Sequence, residues 1–170
     1  GFTKFKITNP SHYSDRDAGI KAVIDHVSQA RERVGAEHDL MINPVMSYNF
    51  EFAQRLLEHL RPYNLRWLEE PLVPTDNDGL ARLRKSAPWV AIATGEDHHG
   101  RHAFLDLVEK RAADILQPDL KWGGGLTEAM KIHTIGEIAG IATVPHGGAN
   151  NPFGQHFAMA ATESPMAEYW

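Results

Sequence analysis

Short apolar runs alternate along this chain with longer amphipathic stretches. Thr3-Lys4-Phe5-Lys6-Ile7 has the period of two that a strand requires, with Phe5 and Ile7 on one face and Lys4 and Lys6 on the other. Asn9-Pro10 breaks the run and Ser14 or Asp15 supplies a cap. Ile20, Val23, Ile24, Val27 and Val34 then make one stripe of a helix that stops at Gly35. The same reading predicts strands over residues 40–42, 65–68, 90–93, 114–116, 142–144 and 167–169. Helices are expected over 50–60, 79–85, 101–110, 126–138 and 153–161. In the first of these, Phe50, Ala53, Leu57 and Leu60 point inward and Pro62 ends the helix.

Strict alternation of strand and helix argues for the α/β class, a parallel sheet with crossover helices, either open or closed into a barrel. The strand ends decide between the two. Residues 40–42 run into Asn43, Trp67-Leu68 into Glu69-Glu70-Pro71, 90–93 into Glu96, Ile115-Leu116 into Asp119, and 142–144 into His146. A barrel opens the carboxyl end of every strand on one mouth, whereas an open sheet concentrates its site at one switch point. Polar groups after every strand therefore favour the barrel. Neighbouring strand residues face opposite ways, so one of Glu69 and Glu70 faces a shared centre and the other faces away.

Composition changes this picture little. The chain has 170 residues, enough for one domain with a sizeable core, and is 42% hydrophobic and 23% charged, as soluble globular proteins are. A net charge of −5 gives no reason to expect a nucleic-acid partner. The absence of cysteine excludes disulfides and thiolate metal sites and fits a cytoplasmic setting. No apolar stretch approaches the roughly 20 residues of a membrane span, and no secretory signal opens the chain. A start at Gly1 without methionine, and an end at Trp170 directly after a predicted strand, point to a piece of a larger protein.

Several segments, in order, carry a family likeness: Gly1 to Lys6, Leu40-Met41-Ile42-Asn43, Trp67-Leu68-Glu69-Glu70-Pro71, Gly95-Glu96-Asp97-His98-His99-Gly100, Gln117-Pro118-Asp119 with Gly123-Gly124-Gly125, Val144-Pro145-His146-Gly147-Gly148, and Ser164 to Glu168. As a set they resemble the barrel domain of the enolase superfamily, mandelate racemase subgroup, and within it the L-rhamnonate dehydratases and related acid-sugar dehydratases. The resemblance implies a (β/α)7β barrel, a modified TIM barrel. Residues 1–170 would form its C-terminal domain from strand two to strand eight, without the capping domain and first strand.

It also implies a magnesium-dependent hydro-lyase acting on a small sugar acid, with a homo-oligomeric full-length protein. In that family three acidic residues hold the Mg2+, and the matching positions here are Asn43, Glu69 and Glu96. The first departs from the pattern, because an amide brings no charge; Asp97 stands next to Glu96 as a replacement. His146 matches the base that takes the proton alpha to the carboxylate and then protonates the departing hydroxyl, giving a 2-keto-3-deoxy acid. Asp119 matches its carboxylate partner, and Glu168 a residue that binds the substrate carboxylate. Lys4 and Lys6 match a lysine pair whose second member is the opposing base in racemases. His98 and His99 are candidates for substrate hydroxyls. The alternatives are a racemase or epimerase of the same subgroup, or a non-catalytic relative whose metal site is impaired at Asn43.

Each residue also has a plainer reading. Glu69 and Glu70 could be solvated strand-end charges, Asp119 a cap for the turn before Gly123, and His146 a turn residue. Lys4 and Lys6 could simply line the barrel. The spacing of His98, His99 and His102 fits no compact zinc site, and His102 is expected on a helix surface. Gly123 to Gly125, with no following lysine, reads as a tight turn rather than a phosphate cradle.

Overall fold

The computed structural model describes residues 1–169 and divides into two compact units, Gly1–Ile92 and Ala93–Trp170. Among the described residues six parallel strands alternate with six α-helices. In the first unit these are β1 (Lys4–Thr8), α1 (Arg16–Val34), β2 (Asp39–Asn43), α2 (Phe50–Leu60), β3 (Trp67–Glu69) and α3 (Asn77–Ser86). The second contains the end of β4 (Ala91–Thr94), followed by α4 (Gly100–Glu109), β5 (Ile115–Leu116), α5 (Gly125–Ala139), β6 (Ala142–Thr143) and α6 (Pro152–Ala160).

In the first unit β1 pairs with β2 from Lys4↔Asp39 to Thr8↔Asn43, and β2 pairs with β3 at Met41↔Trp67 and Ile42↔Leu68. Leu40, Ile42 and Leu68 are fully buried, as are Val23 and Val27 of α1, Leu56 and Leu60 of α2, and Leu80 and Leu83 of α3. Continuous apolar strands of this kind belong to sheets whose strands are covered rather than half wetted. In the second unit β4 pairs with β5 at Ala93↔Ile115, and β5 with β6 at Ile115↔Ala142 and Leu116↔Thr143. Phe104 and Leu107 of α4, Ile132 of α5 and Phe157 of α6 supply its core.

Three local expectations are corrected. The strand predicted over 167–169 does not form among the described residues; that segment is held by Ala149 N–H donating to Glu168 O (2.7 Å) rather than by a ladder. Asp15 occupies the cap position of α1 but makes no side-chain cap bond there. Its carboxylate instead accepts from His12 N (3.0 Å) and Ser11 Oγ (2.9 Å), closing the short 3-10 turn that precedes α1. In α2 the inward face is shifted: Phe52 and Leu56 are buried with Ala53, Leu57 and Leu60, while Phe50 moves aside to lie 4.1 Å beneath the Arg82 guanidinium. Asn49 caps this helix by accepting from Phe52 N (2.9 Å). The predicted stops hold, with Gly35 (φ 85°) after α1 and Gly140 (φ 69°) after α5.

The starts of α4 and α5 are joined by one ion pair. Glu128 accepts from the backbone N–H of Arg101 (2.8 Å), its Nε (2.9 Å) and its Nη2 (2.6 Å). These bonds hold the Glu128 carboxyl down to about 2, below the ordinary 4.5. A carboxylate with a depressed folded-state value stabilises the fold above its unfolded value and loses that contribution as the pH falls. Glu128→Gln is therefore expected to be less stable than the parent at pH 6, with the gap closing between pH 4.5 and about 2; urea midpoints across that range measure it.

Candidate active site

Two groups of polar side chains sit beyond strand ends, one in each unit. In the first, Asn43 and Glu69 are the last residues of β2 and β3, one step after the pair Ile42↔Leu68. Glu69 is buried to 1% exposure. Its Oε1 accepts from Asn43 Nδ2 (2.9 Å) and from the Lys6 ammonium, and its Oε2 accepts from Trp67 Nε1 (2.8 Å). A buried carboxylate is costly unless paired and hydrogen-bonded, and here both oxygens are covered. Glu69 is thus not a solvated strand-end charge. Lys4, one turn of the pleat before Lys6, is exposed. Glu70 is buried as well, at 1% exposure, and has a left-handed backbone (φ 42°).

The loop after β2 is strained. Val45 (φ 51°) and Met46 (φ 60°) both lie in the left-handed region, which a β-branched residue rarely enters. Two bonds hold it: Val45 N donates to Asn43 Oδ1 (2.8 Å) and Met46 N donates to Glu70 O (2.7 Å). The oxygen of Asn43 is consequently spent on the backbone, and the amide turns its NH2 toward Glu69.

In the second unit the register of β5 and β6, Leu116↔Thr143, runs on to a parallel bridge between Asp119 and His146. His146 Nδ1 lies 2.8 Å from Asp119 Oδ2, so the ring donates to the carboxylate from Nδ1. The other carboxylate oxygen, Oδ1, accepts from Lys121 N (2.6 Å) and Trp122 N (3.2 Å). Asp119 therefore caps the turn with one oxygen and orients the imidazole with the other; the plain and the chemical readings are both true of it. Gly123 is required here, since a Cβ would come 2.4 Å from the Asp119 carbonyl oxygen, and the glycine run is the tight turn expected.

His146 Nε2 faces Glu96 Oε2 at 3.4 Å. Trp122, 53% exposed, stacks at 6.1 Å over the His146 ring and donates from Nε1 to Glu96 O (2.7 Å). Glu168 accepts from Gly147 N through Oε2 (2.7 Å), which ties it to the loop bearing His146. His98 is buried with its ring 6.0 Å from that of Phe104, while His99 and His102 are exposed. Sequence reasoning overlooked Trp67 and Trp122. Trp67 was within reach, because a residue two before Glu69 shares its face of the strand. Trp122 depends on the turn after Asp119, for which no periodicity gives a signal.

Oxygen donors such as Glu69 and Glu96 are the kind a hard divalent cation takes. Among the described residues, no three His, Cys, Asp or Glu side chains gather as a ready metal cluster.

Parallel strand and helix units, with a buried carboxylate ending a strand in the first unit and an aspartate-supported imidazole after the strands of the second, place the chain in the α/β class. The chain belongs to the family described as enolase C-terminal domain-like, which matches residues 1–170, and it is a fragment of that family's TIM-barrel-like domain. It is 36% identical over 170 residues to the L-rhamnonate dehydratase of Saccharopolyspora erythraea, covering 99% of this chain and 43% of the relative. Among solved structures it is similar to the rhamnonate dehydratase of Gibberella zeae complexed with Mg (34% identity, TM-score 0.94, 99% of this chain and 41% of that one). It also resembles the L-talarate dehydratase of Polaromonas sp. JS666 complexed with Mg and L-glucarate (31% identity, TM-score 0.84, 100% and 45%). The chain thus spans less than half the length of these relatives.

If Val45 is held left-handed by its neighbours, Val45→Gly relieves strain at little cost. The expected result is a stability equal to the parent or up to about 1 kcal/mol higher, read from urea unfolding. A loss of stability would show that the valine side chain matters more than the backbone shape.

Proposed function

We propose that this chain supplies the catalytic barrel of an acid-sugar dehydratase, with L-rhamnonate as the substrate. The observation that supports it most is the His146 and Asp119 pair, whose Nδ1 to Oδ2 bond of 2.8 Å leaves Nε2 as the base. His146 Nε2 takes the proton alpha to the substrate carboxylate, and Asp119 stabilises the imidazolium that results. The same imidazolium then gives its proton to the hydroxyl on the neighbouring carbon as that carbon–oxygen bond breaks. Water leaves, and the enol tautomerises to a 2-keto-3-deoxy acid. Glu168 and Lys4 are assigned to the substrate carboxylate end, and His98 and His99 to its hydroxyls.

Magnesium is the proposed cofactor, with Glu69 and Glu96 as oxygen ligands and Asn43, which donates to Glu69 from Nδ2, at the position where the resemblance places a third; when bound it would supply positive charge where the carboxylate becomes electron-rich. Lys6, ion-paired to Glu69, is assigned a supporting role, which favours elimination over racemisation. The family relationship and the magnesium complexes of the relatives support this reading. No helix among the described residues is long and apolar enough to cross a membrane, and the working protein is proposed to be a cytoplasmic homo-oligomer.

The test is incubation of the protein carrying this chain with a panel of sugar acids and magnesium, scoring 2-keto-3-deoxy products. His146→Asn is expected to lower turnover by about 10²-fold or more, with Asp119→Asn close behind. Deuterium wash-in without elimination would favour racemisation. A protein that turns over no acid sugar would favour the non-catalytic reading that Asn43 raises.

A further inference from the structure

We propose that Lys6 is the resident counter-ion of Glu69, that a divalent cation reaches this carboxylate by displacing the ammonium, and that Asn43 stands by as a hydrogen-bond donor rather than a ligand. The inference rests on the reading of Glu69 as a metal ligand.

Three donors cover the two Glu69 oxygens: the Lys6 ammonium and Asn43 Nδ2 on Oε1, and Trp67 Nε1 on Oε2. Of these three, Lys6 is the one that brings charge. At 1% exposure Glu69 needs a positive partner, and Lys6 provides it from a side chain that is itself 20% exposed. A cation arriving at Oε1 meets that ammonium at contact distance, where like charges repel strongly. The lysine stem is long enough to withdraw its head while the cation takes its place.

Asn43 cannot simply rotate into the ligand role. Its Oδ1 accepts from Val45 N at 2.8 Å while its Nδ2 donates to Glu69. Turning the amide over would set NH2 against the Val45 N–H and oxygen against the carboxylate, replacing two bonds by two repulsive contacts. The Val45 N–H is held in that direction by the left-handed turn at Val45 and Met46 and by Met46 N donating to Glu70 O. Asn43 is thereby fixed as a donor to Glu69.

Titration of the chain with Mn2+, following the electron paramagnetic resonance signal of the free ion, tests this without any turnover. Lys6→Met is expected to tighten Mn2+ binding by about tenfold, the scale of one charged hydrogen bond. Lys6→Gln serves the same purpose if the methionine variant does not fold by circular dichroism. Asn43→Ala is expected to leave the affinity unchanged, and Glu69→Gln to weaken it. Binding to the lysine variants no tighter than to the parent overturns the counter-ion role, and weaker binding by Asn43→Ala overturns the donor role. Should Glu69→Gln bind as the parent does, or neither the parent nor the lysine variants take up the ion, Glu69 is no ligand and the inference falls with that reading.

Discussion

Parallel pairing that continues past the last ladder bond of each strand is the constraint from which the polar groups take their places. In the first unit, the step after Ile42↔Leu68 sets Asn43 beside Glu69. In the second, equal steps beyond Leu116↔Thr143 end in the bridge of Asp119 and His146, with His146 N donating to Pro118 O at 3.2 Å. Loops normally scatter side chains. Here the backbone itself measures out their separation, and the side-chain bonds only complete what the main chain has aligned.

Each acidic residue then divides its two oxygens between tasks. Asp119 gives one to the turn at Lys121 and Trp122 and the other to the imidazole. Glu69 gives one to lysine and amide and the other to an indole. Such division holds the carboxylate plane against rotation, because turning it for one partner abandons the other. Rigidity of this kind would suit the proposed proton transfer, whose groups must already be aligned when charge moves.

Much of this was legible in the residues. Strand and helix alternation gave the class, and all six helices appear close to their predicted spans, since period and cap act locally. The polar residue after each strand pointed to Glu69, Asp119 and His146. What stayed hidden depended on contacts distant in sequence. A strand over 167–169 looked right by composition, yet a strand exists only where a partner's backbone meets it, and composition does not say so. The reversed amide of Asn43 follows from the left-handed turn at Val45, which no propensity for valine foretells. The shift of Phe50 out of the α2 face follows from an arginine on α3.

The tie between Glu168 and the loop after β6 has a bearing on how the molecule is made. Gly147 N and Ala149 N both donate to Glu168, one to its side chain and one to its carbonyl, so the imidazole-bearing loop leans on residues synthesised after α6. During translation the earlier strands and helices can pack as they emerge, whereas this loop must wait for the chain behind it. The loop bearing His146 is therefore locked into shape only after the segment that carries Glu168 has been made.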